Sequence, residues 1–246
     1  MKFTLLPMRL MPRQNRTNQK NMARLVEKHG KTSDLLVFPQ IEIYPDLEND
    51  EKKQDYDNVP ASLYTQADIV SGFSAKKRIT LAAGFFESLG EDHYTLLALA
   101  DRTGQIELRT RKLTIDTDSE ISSSTLVKAR IQDRQVAFCL SDDLFEENFP
   151  KILRLYKIEI LVIPAYLVAL ESEVAKVVRG EAPEAVEELL EKGRKVAVES
   201  GAYVAMVNSY ADEDGPCGGG FIFGPDGKLE VEIPFFDENP VEYEIL

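Results

Sequence analysis

Two histidines, two cysteines and no tryptophan occur in the 246 residues, and the first two scarcities narrow the chemistry at once. His29 and His93 lie far apart with no ligand spacing, so a His-based metal centre is not expected. Cys139 sits in a run that reads as a core strand and Cys217 in a Gly-rich loop, which is no disulfide framework. Long apolar runs are missing too, and nothing approaches the length that spans a membrane. Met1 to Met11 is apolar but broken by Pro7 and Arg9, and it lacks the uninterrupted centre and small-residue cleavage site of a signal peptide. Positive charge is short: 29 Lys and Arg stand against 42 Asp and Glu, a net charge of −13. That balance argues against nucleic acid or an anionic membrane as partner, since both are held by Lys and Arg. No Walker or dinucleotide fingerprint appears, and Gly218-Gly219-Gly220 reads as a strand entry, not a phosphate cradle. The expectation is a cytoplasmic protein without cofactor or metal.

No repeat, low-complexity tract or long Gly/Ser linker divides the chain, and this length can bury one large core, so residues 1–246 read as a single domain. Lys2 to Met8 reads as a strand. A helix follows from about Arg16 to Lys28, with Met22, Leu25 and Val26 on its apolar face and His29-Gly30 as its stop. Leu35 to Phe38 is continuously apolar, as in a strand buried on both faces. Asp46 to Glu51 reads as a solvated acidic loop. Pro60 opens a helix carrying Leu63, Ala67, Val70 and Phe73 to about Lys77. Strands are expected at Thr80 to Phe86, Tyr94 to Ala100 and Ile106 to Arg111, the last two joined by Asp101-Arg102-Thr103-Gly104. Leu126 to Arg130 and Gln135 to Leu140 form a pair around Gln132-Asp133. A helix, a strand to Pro164, a helix from about Glu184 to Ser200, a strand and a hairpin around Pro225-Asp226-Gly227 complete an α/β chain. Strand pairs between alternating strands and helices point to two sheets with helices outside each.

Four segments carry a family resemblance. Asp34-Leu35-Leu36-Val37-Phe38-Pro39-Gln40 resembles "D-L-V-V-F-P-E" of the nitrilase (carbon–nitrogen hydrolase) superfamily. Gly104 to Leu113 is similar to its "G-x-x-x-x-x-x-R-K-x" strand, with Lys112 on the lysine. Val136 to Leu144 resembles the nucleophile strand and turn, "I-C-Y-D-L". Gly193 to Asn208 resembles "R-A-x-E-N-x-x-Y-V-V-x-x-N", and Gly218 to Gly227 the hairpin that follows it. The nucleophile segment admits two registers, one on Cys139 and one on Ser141. Counting back from Pro164 lands on Ser141 and sets Asp143 on the family's aspartate. The Cys139 register needs a two-residue insertion, while Phe149-Pro150, displaced by three residues from the family's "F-P", weighs against the count. In the Ser141 register Cys139 becomes a small buried apolar residue.

The resemblance implies a four-layer αββα sandwich, a homodimer, and hydrolysis of non-peptide amide C–N bonds by a Glu-Lys-Cys triad. Here the three positions read Gln40, Lys112 and Ser141. A general base needs a lone pair that is stable when protonated, and the amide of Gln40 has none. A thiol is about a few per cent ionised near neutral pH, whereas a serine hydroxyl needs an adjacent base. The inherited mechanism is therefore expected to be silent or strongly impaired, leaving a pocket for a small amide or carboxylate ligand. The alternative is a serine amidase or esterase in which a desolvated, neutral Lys112 deprotonates Ser141. Glu42, Asp142 and Asp143 are other candidate bases, each with a structural reading as strand-end charge, turn residue and helix cap. Both triad replacements are near-isosteric, as in an engineered trap. The altered surroundings, with Asp142 for an aromatic, Glu146-Glu147-Asn148 where "F-P-E" is expected, and no tryptophan for the loop after Pro164, favour natural divergence.

Overall fold

The structure is a computed structural model that describes residues 1–11, 14–41, 65–89, 92–113, 126–211 and 216–246. Glu42, the run Asp46 to Glu51, the loop Asp46 to Asn58, Pro60 and Leu63 lie outside the described residues. Among the described residues two six-stranded sheets pack face to face. The first contains β1 (Lys2–Leu5), β2 (Leu35–Ile41), β3 (Thr80–Leu89), β4 (Asp92–Ala100), β5 (Ile106–Leu113) and the last strand of the chain, β12 (Val241–Glu244), in the order β12-β1-β2-β3-β4-β5. The second contains β6 (Val127–Ile131), β7 (Arg134–Phe138), β8 (Ile160–Ala165), β9 (Tyr203–Asn208), β10 (Gly218–Phe223) and β11 (Leu229–Phe235), in the order β11-β10-β9-β8-β7-β6.

Alternation along each strand divides its side chains between two apolar layers. Leu35 and Val37 of β2, Ala82 of β3 and Leu97 of β4 face the opposite sheet, where they meet Val136, Phe138, Val162, Ala205 and Val207. The other faces are covered by helices. α1 (Asn15–His29) and α2 (Thr65–Lys77) bring Met22, Val26, Ala67 and Val70 onto Leu36, Phe38, Leu81 and Phe85. α3 (Phe149–Leu155) and α5 (Glu184–Ser200) bring Phe149, Leu153, Leu189 and Val196 onto Leu161, Ile163, Met206 and Phe221. The layers run helix, sheet, sheet, helix: an αββα sandwich.

Several expected strand bounds are corrected: β3 runs on from Phe86 to Leu89, and β7 ends at Phe138 instead of Leu140, so Cys139 lies just past the strand. The first strand stops at Leu5 instead of Met8, because Pro7 has no N–H for the ladder. Beyond it, Met8 and Leu10 bond to Tyr210, just past β9 of the other sheet: Tyr210 N–H donates to the Met8 carbonyl at 3.1 Å and Leu10 N–H to the Tyr210 carbonyl at 2.7 Å. The second strand, expected to end at Phe38, continues through Pro39 to Ile41. Strand β12 was not anticipated, and it returns the chain's last residues to the first sheet, antiparallel to β1.

Between β8 and α5 lies α4 (Val174–Val178), preceded by a 3-10 turn at Glu171–Glu173. Glu173 accepts the Glu184 N–H at 2.8 Å and so caps α5 from outside the helix.

Candidate functional site

The candidate residues stand at strand ends, and strand direction decides whether those ends meet. β1, β2 and β3 are parallel, and β5, antiparallel to β4, runs the same way as β3. β7, β8 and β9 are also mutually parallel. A parallel bridge between Arg9 and Tyr210, just past β1 and β9, aligns the two sets. Gln40 near the end of β2, Lys112 near the end of β5 and Ser141 after β7 therefore all belong to the same end of the sandwich. Gln40 and Lys112 share a sheet but are separated by β3 and β4, and Lys112 stands opposite Tyr94 in register.

Gln40 faces the second sheet because of a bulge. Val37 pairs with Ala82 and Gln40 with Gly84, three residues of β2 against two of β3. Simple alternation from Val37 would turn Pro39 inward and Gln40 out; the extra residue reverses this. Ile41, paired with Phe85, lies on the helix side with it. Proline suits such a position because it donates nothing to a ladder. Gln40 is 6% exposed. A Cβ on Gly84 would stand 3.0 Å from Gln40 Cγ and 3.2 Å from both its Cα and Cβ, so the glycine makes the room that Gln40 occupies. Sequence reasoning missed Gly84, although an isolated glycine in a strand is itself a sign of a bulge or close approach.

Ser141 opens a 3-10 turn, Ser141–Phe145, directly after the end of β7. The buried Asp143 accepts the Leu140 N–H at 2.9 Å, and Asp143 N–H donates back to the Leu140 carbonyl at 3.1 Å. This reciprocal pair fixes the corner on which Ser141 is presented. Asp143 thus has the structural role of a cap. Asp142 is exposed, with its Oδ1 3.5 Å from Ser141 Oγ. That separation is at the limit of a hydrogen bond.

Cys139 lies elsewhere. It is fully buried in the apolar layer between the second sheet and α3 and α5, on the face away from the first sheet. Leu140, next along, turns into the space between the sheets. Cys217 is 3% exposed, and burial pushes its thiol up to about 11.

At the end of β9, Asn208 ties three segments together. Its amide accepts the Leu167 N–H at 2.9 Å and donates to the carbonyls of Leu167 and Gly218 at 3.1 and 2.9 Å. The segment entering 165–182 is thereby pinned to the start of β10. Among the described residues no cluster of His, Cys, Asp and Glu could hold a metal ion, and no helix is long and apolar enough to cross a membrane.

No family model matches the sequence, and no curated protein matches it. Solved structures do. A carbon–nitrogen hydrolase from Helicobacter pylori G27 superposes with a TM-score of 0.75 at 15% identity, covering 98% of this chain and 87% of the other. A CN-hydrolase superfamily protein of Xanthomonas campestris, with an arsenic adduct in its active site, gives 0.72 at 14%, covering 99% and 89%. A Glu-to-Gln mutant of the amidase from Nesterenkonia sp. AN1, in which acrylamide has added to the active-site cysteine, gives 0.70 at 16%, covering 100% and 93%. Six strands facing six, helices outside both and near-complete coverage identify the fold of this chain as that of the nitrilase-superfamily carbon–nitrogen hydrolases and amidases.

Proposed function

We propose that the chain is a carbon–nitrogen hydrolase relative that binds a small amide or carboxylate at the end of its sandwich and hydrolyses it poorly or not at all. The observation that carries this reading is the inward-turned Gln40 over Gly84. A position built by a bulge and cleared by a glycine is occupied by a group that cannot take a proton. Ser141, on its capped corner, is a second neutral hydrogen-bonding group. In this reading Lys112 anchors the ligand's negative end and Ser141 bonds its polar end. The chain acts as a homodimer in the cytoplasm.

The chemical argument is one of vacant roles. Proton removal from Ser141 needs a base, and Asp143, occupied by the Leu140 N–H, is committed to the turn. Losing both the base and the soft nucleophile of such a triad costs on the order of a millionfold in turnover. The test is ammonia release from small amides, ureas and carbamoyl compounds, comparing the native chain with the double variant Gln40→Glu, Ser141→Cys. Activity in the double variant alone is the expected result. Turnover by the native chain that disappears in Lys112→Ala would replace this reading with a Ser141–Lys112 mechanism.

A further inference from the structure

The hydroxyl of Ser209 is fully buried, and its Oγ has no hydrogen-bond partner among the described residues. A buried polar atom without a partner costs free energy that a native fold rarely leaves uncompensated, so each instance calls for a reason. Its neighbours show that the omission is local. Asn208, one residue earlier, bonds through its amide to Leu167 and Gly218, and the Ser209 carbonyl accepts the Gly218 N–H at 2.8 Å.

The location supplies the reason. Ala205 and Val207 of β9 face the first sheet, whereas Val204 and Met206 face the helices. Ser209 continues the row of Ala205 and Val207, just where the chain leaves the second sheet to bond with Met8 and Leu10. Leu5 pairs with Val37 across the parallel strands β1 and β2, so Met8 follows the end of β1 at the same end of the first sheet to which β2 carries Gln40. Ser209 therefore lies at the end of the sandwich that holds Gln40 and Ser141, on the seam between the sheets.

We infer that Ser209 is a ligand-binding residue of the proposed pocket, its hydroxyl bonding the polar end of a small amide or carboxylate. A hydroxyl offers one donor and two acceptor sites, so it can serve an amide N–H or a carboxyl oxygen by rotating its proton. The inference rests on the pocket reading above and adds a determinant that none of the sequence motifs marks.

The test uses Ser209→Ala in the full chain, with propionamide and acetate as probes in a ligand-observed NMR titration and urea unfolding without ligand as control. The expected result is a weakening of probe binding by about three- to tenfold, the loss of one hydrogen bond, with an unfolding midpoint unchanged or raised. A lowered midpoint would mean that the hydroxyl has a structural partner, and equal binding by both proteins would mean that it does not touch the ligand. Either overturns the inference and leaves the pocket standing. If the native chain binds neither probe and the Gln40→Glu, Ser141→Cys variant releases no ammonia from propionamide, pocket and inference fall together.

Discussion

At the residue scale the decisive pair is Gln40 and Gly84. Replacing Gly84 by alanine puts a methyl group 3.0–3.2 Å from three atoms of Gln40, one of them backbone. Neither the bulge nor the adjoining ladder can yield freely, so the expected cost is about 1–3 kcal/mol of stability, read as a lower urea midpoint. In the Gln40→Glu, Ser141→Cys background the same change should lower ammonia release further. The cysteines give a second prediction. With the Cys217 thiol near 11 and buried, only on the order of one molecule in a thousand carries the thiolate at pH 8. Cys139 is sealed under α3 and α5. Titration with a thiol reagent should find both cysteines unreactive in the native protein and reactive in denaturant. Fast labelling of Cys139 in the native state would reopen the register that makes it the nucleophile.

At the scale of elements, α5 rests on the second sheet through a glycine. A Cβ on Gly193 would stand 2.8 Å from two ring atoms of Phe221. Glycine to alanine in mid-helix ordinarily stabilises by about 1 kcal/mol, but here the ring is fully buried and packed against Phe223. Overpacking should win, so Gly193→Ala is expected to destabilise by about 1–3 kcal/mol in urea unfolding. The corner after β7 depends similarly on Asp143. Asp143→Ala strips the Leu140 N–H of its acceptor in a buried turn and should cost about 1–3 kcal/mol.

The edge strand β12 carries a pH dependence. Glu242 accepts a bond from Lys2 and faces His29 Nδ1 at 3.6 Å. Chiefly through the Lys2 bond, and despite some burial, its carboxyl is held below the usual glutamate value of 4.5. A depressed carboxylate contributes stability that is fully present above that value and is lost as the pH falls through the native one. The pair is well exposed to solvent, so the contribution is below about 1 kcal/mol. The urea midpoint should decline below pH 4.5, and Glu242→Gln should make that decline shallower while slightly lowering stability at pH 7.

On the scale of the whole molecule, much was legible in the residues themselves. The helix at 184–200 and the existence of a strand after it could be read because apolar periodicity and flanking turns are local properties. The αββα layering followed from strand pairs between helices together with the motif order, and the structural neighbours share it. Gln40 and Ser141 were expected at strand ends because each closes a recognisable strand motif, and both stand there. Facing could not be read. The inward turn of Gln40 depends on a bulge whose register exists only once β3 is paired alongside. Cys139 and Ser141, two residues apart, went separate ways when the strand ended and the corner began. Strand β12 escaped because Val241–Glu244 is short and half-exposed, with an alternating pattern that binds nothing until β1 is present as an edge. Ser209 lies in no motif, and that its hydroxyl has no partner among the described residues is visible only once the strands around it are in place. The sequence by itself determined the elements, the layers and the chemical types at the strand ends. Tertiary structure alone decided which of those groups share a face and which are left unsatisfied, because facing and burial are relations between strands distant in the chain.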